Sequence, residues 1–428
     1  MTVALNIDAL RGAAASLPSN GLASSRQAAI ARLSQSGTPT TRDEDWKYTD
    51  LSPLIEHSNR WLVSGARNFE DENGTTALIQ PVLDRIDAHW LIIRNGRIDA
   101  DVAASLELAG IRIRLLSESG ATPMMDTALA EMNIALLTDG LHIEVDSSAA
   151  LEKPLGILLA DFVPDDLAVS QVRVDIEMAT GSRADFVEYH CSGGGAEHYA
   201  NTVVNLDVGA AACARYVRIN DRAGSHSQTG RLRATMAKDS RFEHAAFDLG
   251  GRLIRNDLAI DLAGRGAESA FHGLYLADAD QHIDNHTRVD HRVGPAHSKQ
   301  EYRGILSGSA RCVWNGKAIV HAGADGTDAE QANHNLLLSE KAEIDAKPEL
   351  EIYADDVKCS HGTTIGQLDE NALFYLRTRG LDRDSAKSLL MRAFAHTVVG
   401  MLSIESLKQG IAELVESRLE AMIEGDRQ

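Results

Sequence analysis

The chain has 428 residues, 44% of them hydrophobic and 24% charged, with a formal net charge of −20. This is the composition of a globular protein long enough for two or three domains, or for one large core with appendages. So acidic a surface repels phosphate backbones and anionic lipid, so no nucleic-acid or membrane partner is expected. No apolar run approaches the ~20 residues that span a bilayer.

Aromatic residues are scarce at 5%, while glycine is plentiful at 34 residues. That balance suits thin layers of small and β-branched side chains joined by many turns. Met1 to Ser25 has neither a basic leading region nor a continuous apolar stretch, so no signal peptide is expected. Cys191, Cys213, Cys312 and Cys359 lie far apart with no CxxC pair. They form neither a disulfide framework nor a zinc-knuckle pattern, and a cytoplasmic location with reduced thiols is expected.

Residues 1–140 read as a helical and α/β domain. Residues 20–35 are predicted helical, capped by Ser24 or Ser25, with an apolar stripe of Ala28, Ile30, Ala31 and Leu33. Arg42 to Leu51 is a charged segment, and its Trp46 and Tyr48 are expected to pack on the domain behind. Residues 75–120 alternate short apolar runs with Gly and Asp turns and are taken as a small α/β cap.

Residues 141–364 change character. Short alternating strands recur at Leu141–Val145, Val172–Ile176, Ala184–Tyr189, Val203–Val208 and Leu258–Leu262. Turns of small residues separate them, such as Thr180-Gly-Ser-Arg183, Val208-Gly-Ala-Ala211, Lys238-Asp-Ser-Arg241, Ala263-Gly-Arg-Gly266 and Leu306-Ser-Gly-Ser-Ala310. The turn spacing is about 26 to 32 residues, with one interval of about 42. Strands at that period without intervening helices point to a parallel β-helix, with an antiparallel sandwich as the competitor. Residues 365–428 switch to helical periodicity. Apolar positions at Ala386, Leu389, Leu390, Ala393, Phe394 and Val398, then from Leu407 to Met422, mark two helices.

Two segments invite a metal reading. Gln281 to His291 is dense in His and Asp, but in an extended strand His282 and His286 stand ~13 Å apart on one face. His286 and His291 point to opposite faces, so hydrogen bonding along the solenoid is the expected role. Cys359-Ser-His361 is different. At i and i+2 the thiol and imidazole project to one face, with Cα atoms ~6.6 Å apart, able to contact one iron or one cluster. Two ligands make an incomplete site, so the remainder would come from another chain or from elsewhere in this one. The other three cysteines are expected to pack.

The run PELEIYADDVKCSHGTTIGQLDENALFYLRTRGLDRDSAKSLLMRAF, Pro348 to Phe394, resembles the SufD family. DEDWKYTDL at 43–51, Gln281–His286, Tyr302–Leu306 and Gln331–Asn335 extend the resemblance over most of the chain. It implies a mainly β protein: a right-handed parallel β-helix core, an N-terminal α/β domain and a C-terminal helical domain. It also implies a scaffold subunit without turnover chemistry, which pairs with a SufB-like scaffold and docks a SufC-like ABC-type ATPase to build iron–sulfur clusters. Iron or a cluster would be held only transiently in that complex, and none tightly by this chain alone. Under the resemblance His361 and Cys359 fall at the partner interface as candidate iron or cluster contacts. Phe394, Leu390 and Ala386 mark the ATPase-facing region. SufB carries a cysteine near the segment equivalent to Gln331–Asn335, where this chain has Ala332 and Asn333. An unpaired solenoid edge also predicts a homodimer of the isolated chain. The alternatives are a β-helix carbohydrate-active enzyme, disfavoured by the few aromatics, and a purely structural interaction subunit.

Overall fold

The computed structural model describes residues 3–66, 72–98 and 106–425. Eighteen strands among them form two nine-stranded sheets. Sheet A runs β1-β4-β6-β8-β10-β12-β14-β16-β18, and sheet B runs β17-β15-β13-β11-β9-β7-β5-β3-β2. The strands are β1 (His89–Arg94), β2 (Ile111–Leu115), β3 (Leu141–Val145), β4 (Leu155–Phe162), β5 (Ala168–Met178), β6 (Arg183–Gly193), β7 (His198–Val208), β8 (Cys213–Asp221) and β9 (His226–Met236). They continue as β10 (Arg241–Asp248), β11 (Leu253–Leu262), β12 (Glu268–Ala277), β13 (His282–His291), β14 (His297–Leu306), β15 (Arg311–Val320), β16 (Thr327–Leu337), β17 (Glu343–Ile352) and β18 (Val357–Gly366). From β3 onward consecutive strands alternate between sheets and pair in parallel with the strand two further on, for example Ala168 with His198 and His198 with His226. The result is a parallel β-solenoid of about eight turns, and the antiparallel sandwich is excluded. Among the described strands only β2 pairs antiparallel, with β3.

All five predicted strands lie within β3, β5, β6, β7 and β11. The glycine-rich turns mark one recurring corner. Gly181, Ala211, Asp239 and Gly266 each take positive φ where the chain passes from sheet B to sheet A. Their amides stack on the next turn's corner, Gly181 N–H to Ala210 and Ala211 N–H to Lys238. Small or Asx residues recur there because a bulkier L-residue is strained in the left-handed region. The irregular interval of about 42 residues in the sequence also has a cause. Leu306–Ala310 turns from sheet A to sheet B, so the repeat is read half a coil out of phase at that point.

The 75–120 segment is not a separate cap. Its apolar runs are β1 and β2, which extend the two sheets at one end, because Leu91 and Ile93 bury into the same interior core as β4. The second helix, Ala23–Ser36, starts at Leu22 without a side-chain cap, so neither Ser24 nor Ser25 caps it.

Three apolar layers hold the molecule. One fills the solenoid between the sheets. A second packs the C-terminal helices Arg383–Gly400 and Glu405–Gly425, and the Glu72–Arg85 helix, on the outer face of sheet A. Sheet A strands are therefore apolar on both faces, and β4 reads as a nearly continuous run, Leu155-Gly-Ile-Leu-Leu-Ala160. The third joins helices Ile7–Ala15, Ala23–Ser36, Ser52–Val63 and Ala128–Leu136 to Val169 and Tyr199 of sheet B. At the β1/β2 end the partly buried Ile98, Leu106 and Leu108 pack against the interior. The β17/β18 end is open, with both strands at sheet edges and most of β18 exposed.

Candidate functional site

Cys359 and His361 lie on β18 itself, the outermost strand of sheet A. Register decides which way they face. Cys359 pairs with Ala329, which continues the row Ser298, Ser269, Phe242 and Ala214; His361 pairs with Gln331, continuing Gln300, Phe271, His244 and Tyr216. Both rows line the solenoid interior, where Ala329, Ser298, Gln331 and Gln300 are buried. The thiol and the imidazole therefore crown the interior stack at its open mouth. Cys359 is half-buried and His361 exposed. Burial, and secondarily the Asp328 carboxylate, pushes the Cys359 thiol up, against a smaller lowering by the Ala329 amide. A thiol so placed needs an added positive charge, such as a metal ion, to ionise readily.

The interior below this mouth is polar. Asn333 donates to the Tyr275 hydroxyl at 3.0 Å, Asn335 donates to Asn333 Oδ1 at 2.6 Å, and the Tyr275 hydroxyl donates to Asn335 Oδ1 at 2.5 Å. Soft sulfur beside an imidazole fits iron or an iron–sulfur cluster, and two such donors supply part of a coordination shell. Most of β18 is exposed on this side of the sheet.

The predicted ATPase-facing residues divide. Ala386 is fully buried beneath the Arg383–Gly400 helix and cannot touch a partner, because the buried face of that helix is Ala386, Met391, Ala395, Val398 and Val399. This corrects the sequence reading, whose stripe ran through Leu389 and Ala393. Leu390 is half-buried, and half-buried Phe394 lies under the Arg303 guanidinium at 4.9 Å. The exposed apolar side chains are instead Phe374 at 68%, Tyr375 at 58% and Leu389 at 45%. Ile352, Tyr353 and Ile365, at the open end, are also exposed.

The His/Asp-rich segment is a fastening. Arg255, buried, bonds Asp284 at 2.5 Å and Asp257 at 2.9 Å, donates to the Asp45 carbonyl at 3.0 Å, and lies 4.2 Å from the Trp46 ring. The Thr49 hydroxyl donates to Asp284 and meets His282 Nε2 at 2.8 Å. His286 Nε2 sits 3.1 Å from Asp284. The 43–51 segment is thus a strap laced to β11 and β13, and Glu44 pairs with Lys347 of β17 at 2.5 Å. Desolvation would raise the Asp284 pKa, but Arg255 and His286 outweigh it and hold the carboxyl far below its usual range. On the opposite side of β13, His291 meets Ser298 inside the solenoid at 2.9 Å.

Sequence reasoning missed two features. Among the described residues, His142, Glu144 and Glu177 bring three metal-capable side chains together across neighbouring strands. Arg112 and Arg114 each bond Glu144 at 2.6 Å, so its charge is already neutralised. The other is a buried polar spine. Arg222 donates to Asp161 at 2.9 Å, Ser170 bridges Asp161 and His198, and His190 meets Glu188 at 2.7 Å. Desolvation drives His198 to about 3, while the Asp161 carboxyl is held near about 2 because His198 and Arg222 outweigh its own desolvation. These groups are scattered in sequence and only solenoid register unites them. Cys191 and Cys312 pack in apolar layers, and burial pushes the Cys191 thiol up to about 12.

Residues 162–394 match the family described as SUF system FeS cluster assembly, SufBD core domain. The chain is 29% identical over 397 residues to the iron–sulfur cluster assembly protein SufD of Escherichia coli, covering 91% of each. It is 30% identical over 393 residues to an iron–sulfur cluster assembly SufBD family protein of Mycobacterium leprae, covering 89% of this chain and 90% of that one. Its identity to Bacillus subtilis SufD is 25% over 293 residues, 68% and 67% of the two.

Proposed function

Because the chain belongs to the SufBD core family of iron–sulfur cluster assembly proteins, we propose that it is a scaffold subunit whose working end is the open mouth at β17 and β18. The observation that carries this reading is the placement of Cys359 and His361 side by side in the interior rows of an exposed edge strand. Such an edge is a template for a second solenoid, here a SufB-like scaffold. Strand addition would bring that partner's donors to the half-site made by Cys359 and His361. The exposed Phe374, Tyr375 and Leu389 provide apolar anchors near the C-terminal helices for a SufC-like ATPase, with Leu390 and Phe394 at the margin. In this reading the chain performs no turnover of its own, holds iron or a cluster only within the complex, and works in the cytoplasm. No helix among the described residues is long and apolar enough to cross a membrane.

The test is co-purification with SufB-like and SufC-like proteins, then anaerobic cluster reconstitution with His361→Ala and Cys359→Ala. Retention of both partners with loss of cluster loading in His361→Ala supports the reading. Full loading in both variants would leave a purely structural subunit, and failure to retain either partner would remove the scaffold reading altogether.

A further inference from the structure

Gln331 is buried at 4% exposure on the interior face of β16, and neither its Oε1 nor its Nε2 atom has a hydrogen-bond partner among the described residues. A buried primary amide with neither end satisfied is rare in folded proteins and calls for a specific reason. Its register neighbour toward the mouth is His361 on the same face, one strand spacing of ~4.8 Å away. Its neighbour on the inner side is Gln300, whose Oε1 accepts from Thr287 at 2.6 Å and whose Nε2 is also unpartnered.

We propose that Gln331 is the positioning residue for His361: its Oε1 accepts from one imidazole N–H and turns the other ring nitrogen, with its lone pair, out of the mouth. His361 is exposed and free to rotate about χ1 and χ2 onto the amide. Oε1 has two lone pairs, so a bond from Gln300 Nε2 leaves one for the imidazole. Added to the existing Thr287–Gln300 bond, those two bonds would complete a line from Thr287 through Gln300 and Gln331 to His361, running from sheet B through the interior to the edge strand. A histidine that ligates metal through one nitrogen commonly donates its other N–H to a fixed acceptor, which sets the tautomer. The inference rests on the reading of His361 as an iron or cluster contact. The tautomer itself is a property of the metal-free chain.

The experiment compares wild type, Gln331→Met and Gln331→Glu in the full chain. Methionine matches the size without an acceptor, whereas glutamate keeps the acceptor. Imidazole 15N shifts of His361, assigned with His361→Ala, report the tautomer without metal. One dominant tautomer is expected in wild type and Gln331→Glu, with loss of that preference in Gln331→Met. Co(II) titration then should show about 10-fold weaker binding in Gln331→Met and little change in Gln331→Glu. An unchanged backbone amide fingerprint confirms that the variants fold. The same tautomer ratio in wild type and Gln331→Met overturns the proposal. If the tautomer depends on Gln331 while His361→Ala still binds Co(II) and loads clusters with its partners, the positioning pair stands and the ligand reading of His361 fails.

Discussion

The middle turns of the solenoid and its last turn are built from the same repeat and put to different uses. In the middle turns, the interior histidines are sealed. His198, His226, His244 and His291 are all buried, and the outer faces lie under helices or beneath the 43–51 strap. On β18 the same interior positions carry Cys359 and His361, and no further turn covers them. Polar density therefore does not identify the working surface of this fold. A His/Asp-rich run such as Gln281–His291 is consumed by internal bonds, whereas Cys359 and His361 sit on an edge strand that no further turn covers.

Acid should separate the two regions most strongly. Burial lowers the interior histidines from the usual 6.5 to about 3 for His198 and His244 and about 4 for His226 and His291. The unfolded chain then binds more protons between those values, so stability is full above pH 6.5 and falls as pH drops through 6.5 toward 4. At pH 5 each of these histidines removes up to about 2 kcal/mol. Asp161 and Glu188, held at about 2 against usual values of 3.8 and 4.5, add a second loss below about pH 4.5. Urea unfolding between pH 8 and 4 measures both limbs; a flat profile from 7 to 5 would show that the histidines are not sealed.

The strap gives the next largest effect. Arg255→Met leaves Asp284 buried and short of its cation, for an expected loss of roughly 3–5 kcal/mol in the same unfolding assay. Thr49→Val removes a hydroxyl that serves Asp284 and His282, and about 1–2 kcal/mol is expected from it. At the far end of the scale, His361→Ala should change stability by no more than about 1 kcal/mol, because the side chain is exposed and the proposed bond to Gln331 is all that it gives up. A large destabilisation by His361→Ala, or a negligible one by Arg255→Met, would collapse the distinction between a fastened middle and a free end.

Residue pattern alone determined a good deal of this protein. Alternating runs such as Val203–Val208 became strands, because period-two alternation can bury only one face of a pleated chain. The small-residue corners at Gly181, Ala211 and Gly266 announced a coil period, since each turn must re-enter the left-handed region at one place. The i, i+2 spacing of Cys359 and His361 already put them on one face. Tertiary structure decided the rest, because it depends on register between residues some thirty positions apart. Register made β1 and β2 part of the sheets, buried Ala386 instead of offering it, and turned the Gln281–His286 run into a latch for Thr49. It also showed that the face shared by Cys359 and His361 is the interior one, with Gln331 behind His361. That last fact no local spacing contains, since a strand's two faces become inside and outside only when the neighbouring turn is laid against it.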